Sequence, residues 1–126
     1  MARIHSCVLV AGLLLAAVPA VAADVKSGTY DGALMDVARP VRVELVVDAG
    51  KGGSIKFGEP WACGLGLSYA GPRESVQVYS FTGAGAGRCA SLSLGYAELK
   101  PASGKLEVEL FDQQQKRVQK TMLTSQ

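Results

Sequence analysis

The chain has 126 residues and nearly balanced charge, 13 Lys and Arg against 11 Asp and Glu for a net +2. Its basic residues are scattered rather than gathered in a stripe, which excludes the electrostatic footprint of a nucleic-acid binder, and the length fits one domain. The only histidine, His5, falls in a segment expected to be removed, so Ser-His-Asp and Cys-His catalysis and histidine-based zinc sites are excluded as well.

Residues 1–23 read as a secretory signal peptide. Arg3 gives a positive start, Val8 to Val18 an apolar run, Pro19 a break, and Ala20-Val21-Ala22 the small-x-small pattern cut by signal peptidase. The run is too short for a membrane span, and Cys7 precedes it, which argues against a lipoprotein anchor. Cleavage is expected after Ala22 or Ala23. That leaves residues 24–126 as one exported domain, periplasmic or extracellular, with no later segment apolar enough to enter a membrane as a helix. The two remaining cysteines, Cys63 and Cys89, allow a single pairing, and an intramolecular disulfide is expected in an oxidising compartment.

In chain order, the rest reads as strands separated by glycine-rich turns. GTYDGAL (Gly28 to Leu34) is a short first strand. VRVELVV (Val41 to Val47) alternates, with Val41, Val43, Leu45 and Val47 on one face and Arg42 and Glu44 on the other. DAGKGG turns the chain into SIKF (Ser54 to Phe57). ACGLGLSY then sets Cys63, Leu65, Leu67 and Tyr69 against Ala62, Gly64, Gly66 and Ser68. AGPRE is a turn and SVQVYSF (Ser75 to Phe81) a strand. After the glycine loop, CASLSLGYAELK reads as a strand with Leu92, Leu94 and Tyr96 in step. PASG turns into KLEVELF, with Leu106, Val108 and Leu110 inward and Glu107 and Glu109 outward. The tail RVQKTML is assigned as a last strand in preference to a short helix, because its helical face is poor in apolar residues. About eight short strands and no convincing helix predict an all-β antiparallel meander, closed or nearly closed into a small barrel. A two-sheet β-sandwich is the alternative.

Few stretches carry chemistry. In GAGAGR, Gly83, Gly85 and Gly87 precede Arg88, but the third glycine comes one place early for a dinucleotide fingerprint and a strand is expected to follow. A P-loop fails at GKGGS, where Gly52 stands in place of the hydroxyl residue. The glycine run is read as a hairpin connection that can offer contact to a ligand or partner through its backbone and Arg88. In FGEPWACG, Trp61 either plugs one barrel end against the disulfide or stands at a rim as a stacking surface. Neighbouring Glu59 is an acid candidate without a second carboxylate. Glu107 and Glu109 lie roughly 6–7 Å apart by strand geometry, within the range of glycosidase carboxylates, but their regular alternation describes a solvated face. Tyr69, Tyr79 and Tyr96 read as core or rim aromatics. No residues call for a metal or cofactor.

The order GTYDG, an alternating VRVELVV, SIKFGEPWACGLGLSY, then YSF and GAGAGRCASLSL, closing on GKLEVELFD, resembles small extracytoplasmic β-barrel domains of bacteria, some fused to membrane-spanning Ser/Thr kinases. Those resemble Gly-Thr-Trp-x-Gly at the start and place two cysteines similarly; here Tyr30 stands at the tryptophan position and Pro60-Trp61 precedes the first cysteine. The resemblance implies the barrel fold, export and an accessory or sensing role, and transfers no catalytic residue. Three function classes follow. The first is a non-enzymatic module binding a protein or envelope component through loops at one barrel end. The second is a barrel that holds a small apolar or aromatic ligand, and the third a carboxylate-based hydrolase.

Overall fold

The computed structural model describes residues 22–126. The apolar run read as an export signal lies outside the described residues. Eight strands follow one another: β1 (Gly28–Asp36), β2 (Arg39–Asp48), β3 (Gly52–Phe57), β4 (Cys63–Arg73), β5 (Val76–Thr82), β6 (Tyr96–Ala102), β7 (Lys105–Phe111) and β8 (Arg117–Ser125). Each pairs antiparallel with the next, and β8 returns to β1, so the sheet closes into a barrel in simple chain order. The barrel is the expected fold, and the sandwich is set aside.

Period-two alternation builds the core. Val41, Val43, Leu45 and Val47 of β2 are buried and Arg42 is exposed. Ile55 and Phe57, Leu65 and Leu67, Tyr79 and Phe81, Ala97 and Leu99, and Leu106, Val108 and Leu110 add the inward sides of β3 to β7. Thr121 and Leu123 complete the ring from β8, which makes the tail a strand as expected. Each large apolar side chain removed from water stabilises the fold by about 1.5–3 kcal/mol. Together they form one buried apolar cluster inside the barrel.

Two expectations fail. The segment from Cys89 is not a strand at first: Gly87–Leu92 is a 3-10 helix between β5 and β6, and β6 begins only at Tyr96. Leu92 is buried beneath that helix, while Leu94 is 72% exposed with a positive φ of 65° and Tyr96 points outward. The inward residues of β6 are Ala97 and Leu99, one register away. The glycine run is therefore no simple hairpin tip but the start of a long connection folded across the barrel. Likewise, AGPRE is not a turn. β4 continues to Arg73 through a bulge between Tyr69 and Gly71, which accommodates Pro72 without breaking the strand.

Because the meander alternates direction, the β1–β2, β3–β4, β5–β6 and β7–β8 connections share one end of the barrel, here the cap end. At the opposite end, residues Ala23–Ser27 strap across the mouth. Val25 is buried, the Tyr30 hydroxyl donates to the Lys26 carbonyl at 2.6 Å, and the Ala49 N–H donates to Ser27 Oγ at 2.8 Å.

Candidate functional site

The cap end is built on one carboxylate. Asp36, the last residue of β1, accepts the Trp61 indole N–H at 2.7 Å and stands 3.2 Å from the Arg88 guanidinium through the same Oδ2. Trp61 is only 7% exposed, its ring 4.9 Å from that of Phe57. The Arg88 guanidinium lies over the indole, 5.8 Å from the ring centroid, in cation–π geometry. A β3–β4 loop, a strand end and the β5–β6 connection thus meet at a single charged group.

The disulfide fixes this assembly. Cys63, at the start of β4, is bonded to Cys89 in the 3-10 helix, with Cα atoms 6.0 Å apart. Cys89 and Leu92 are fully buried three residues apart, on one side of the helix. Gly85 has φ +61°, and a Cβ there would sit 2.8 Å from the Cys89 carbonyl carbon, so only glycine allows the loop to fold back on its anchor. Gly83 and Gly87 also have positive φ but face open space.

The candidate residues Glu59, Trp61, Gly83, Gly85, Gly87 and Arg88 therefore gather at one barrel end. Glu59, the glycines and Arg88 are exposed, whereas Trp61 is covered and offers no free face for stacking. The 3-10 helix has fewer than two full α-turns and offers no phosphate-binding helix start. Asp36 was not singled out in the sequence, where an aspartate ending a strand looks like any turn residue.

The remaining candidates lie elsewhere. Glu107 and Glu109 face outward and share Lys120, at 2.8 and 3.7 Å, with Arg117 at 3.9 Å from Glu109. The hydrogen bond from Lys120 holds the Glu107 carboxyl below its ordinary range, opposite to the rise that a glycosidase acid needs. Tyr79 is buried near the strapped end, its oxygen accepting the Gly50 N–H at 3.3 Å, and burial raises its phenol pKa. The Tyr69 ring lies 5.1 Å from that of Tyr79, and its hydroxyl donates to Gln77 Oε1, while Gln77 Nε2 donates to the Ala23 carbonyl at 3.4 Å. Tyr96 stacks on Phe111 on the outer wall, centroids 4.7 Å apart, under the Arg73 guanidinium, which also pairs with Glu98. Among the described residues no three His, Cys, Asp or Glu side chains converge as a metal site, and no helix is long and apolar enough to cross a membrane.

Compared with known proteins, the chain matches no family model, no curated sequence and no solved structure.

Proposed function

We propose that this domain is an exported, non-enzymatic interaction module that binds a protein or envelope component through the cap end of its barrel. The observation that carries the reading is the Asp36–Trp61–Arg88 assembly, held by the Cys63–Cys89 disulfide. It stiffens an end that presents Glu59, the glycine loop and two strongly exposed aliphatic side chains, Val37 at 92% and Leu94 at 72%. Rigid loops with exposed apolar residues bind with little ordering cost. The cluster of large apolar side chains pointing into the barrel supports contact over carriage, since a small barrel holds a ligand only where side chains leave room. Export is part of the proposal. It rests on the signal-like residues 1–23 and agrees with a disulfide that needs an oxidising compartment.

The test is native mass spectrometry on protein purified gently from its host's envelope. A complex with a second polypeptide is expected, lost in Arg88→Glu and Leu94→Ser, both of which change exposed side chains. An added mass of a few hundred daltons on the single chain would instead identify a small-ligand carrier and overturn the reading.

A further inference from the structure

At the strapped end, opposite the cap, the barrel holds a cavity of about 330 Å³. That volume falls at the small end of ligand pockets, which run roughly 300–1,000 Å³. Tyr69 of β4 and Tyr79 of β5 face each other there across the strand pair, their rings tilted by 52° and 5.1 Å apart. Val25 of the strap and Gly50 of the β2–β3 turn also line it. Gln77 and Tyr79 are only 7% and 1% exposed, yet both line the cavity and each holds a hydrogen that it does not spend. The Tyr79 oxygen accepts the Gly50 N–H, but its own proton meets no acceptor among the described residues. Burial raises the pKa of this phenol, which keeps the proton in place. Gln77 Nε2 gives one hydrogen to the Ala23 carbonyl and retains a second, while Gln77 Oε1 and the Tyr69 oxygen each keep a lone pair. Among the described residues of the lining, Asp24 alone is charged.

We propose that this cavity binds one unit of a neutral saccharide. The groups it leaves unpaired decide the class of ligand. An apolar ligand would cover two donors and give neither an acceptor, which costs free energy. A cation can accept from neither donor, and an anion would meet Asp24 with no cation in the lining to offset it. A hydroxyl both donates and accepts. A ring that carries several hydroxyls therefore matches the two donors, the lone pairs of Gln77 and Tyr69 and the Asp24 carboxylate together. The half-buried Tyr69 ring adds an aromatic surface, and the negative face of such a ring attracts the C–H groups of a sugar. This site goes beyond the cap reading. It lies at the other end of the barrel, and either can fail without the other.

The experiment is an NMR titration of the disulfide-bonded domain, residues 22–126, which retains the Ala23 carbonyl. The probes are glucose and N-acetylglucosamine, each as the monomer and as the β-1,4-linked trimer. Saturable shifts are expected at the Gly50 amide and the Gln77 side-chain amide, with residues 83–95 of the cap unmoved. Tyr79→Phe removes one donor and keeps the ring, and should weaken binding about fivefold. Tyr69→Leu keeps an apolar side chain without the ring and should abolish binding, while unmoved amides along β2 and β7 report an intact barrel. Tighter binding of a trimer would place the unit in a glycan chain and equal binding would name a free sugar; both support the proposal. No saturable shift with any probe, equal binding by Tyr79→Phe, or shifts confined to residues 83–95 would overturn it. A saturable response to tetramethylammonium and none to the sugars would name a cationic ligand at the tyrosine rings and overturn it too.

Discussion

Asp36 serves two partners with one carboxylate, and the two differ in weight. The Trp61 indole is buried, and its N–H has no other acceptor among the described residues, whereas Arg88 is largely in solvent. Leaving a buried donor unpaired costs about 1–3 kcal/mol, and losing a solvent-screened ion pair about 0–1 kcal/mol. Asp36→Asn, which keeps a carbonyl for the indole, should therefore cost less than Asp36→Ala in urea unfolding. Equal losses would mean that Arg88, not Trp61, is the partner that counts. A pH test separates another pair. Lys120 lowers the pKa of Glu107 in the folded state, so this carboxylate adds stability above its unfolded pKa and loses it as pH falls through the lower folded value. Glu107→Gln should have a slightly lower Tm than wild type at pH 7, and the gap should close as pH falls through the lowered folded-state pKa. The difference is small because both groups are solvated.

The elements were legible wherever one period ran unbroken. Val41 to Val47 and Leu106 to Leu110 alternate through a whole strand, and the pattern alone assigns each side chain a direction. It failed at Cys89 to Tyr96 because two periods meet there. Cys89 and Leu92 are buried at a spacing of three, the 3-10 repeat, but Leu92, Leu94 and Tyr96 also form a period-two series by coincidence. Reading the second hid the first and shifted β6 by one residue. The disulfide pairing was legible because two cysteines allow only one; what it anchors was not. The bond closes a loop between residues 26 apart in sequence, worth about 3.5 kcal/mol by chain entropy against a total of about 5–15 kcal/mol for a domain. The Cys63→Ala/Cys89→Ala variant should still fold at low temperature but lose its cap first. Amide exchange should rise at position 89 and at Gly95, whose backbone N–H groups donate to the Ala86 and Leu92 carbonyls, before it rises along β2 and β3. Fluorescence of the single tryptophan should shift red as its cover loosens. A cap that stays protected would mean that the buried Leu92 holds it by packing, without the disulfide.

At the scale of the molecule, barrel and sandwich share the same strands and differ only in whether β8 meets β1. That contact joins residues such as Asp31 and Thr124 across nearly the whole domain, and no local pattern encodes it. Closure also decides what the interior can do. Sequence set Leu65, Leu67 and Tyr69 on one face of the strand and Gly64 and Gly66 on the other, without saying which face lines the interior. In the closed barrel the glycines lie on the outward-facing side and the leucines inside, so small residues thin the wall rather than hollow the core. Leu99, fully buried among the inward side chains, tests that. Leu99→Ala should cost about 2–5 kcal/mol, with the size of the loss set by how far neighbours relax into the void. An apolar void stays dry and takes up small apolar molecules, so benzene should raise the Tm of Leu99→Ala and leave that of wild type unchanged. A benzene-stabilised wild type would mean that the barrel already holds an apolar space, and the carrier reading would displace the interaction module.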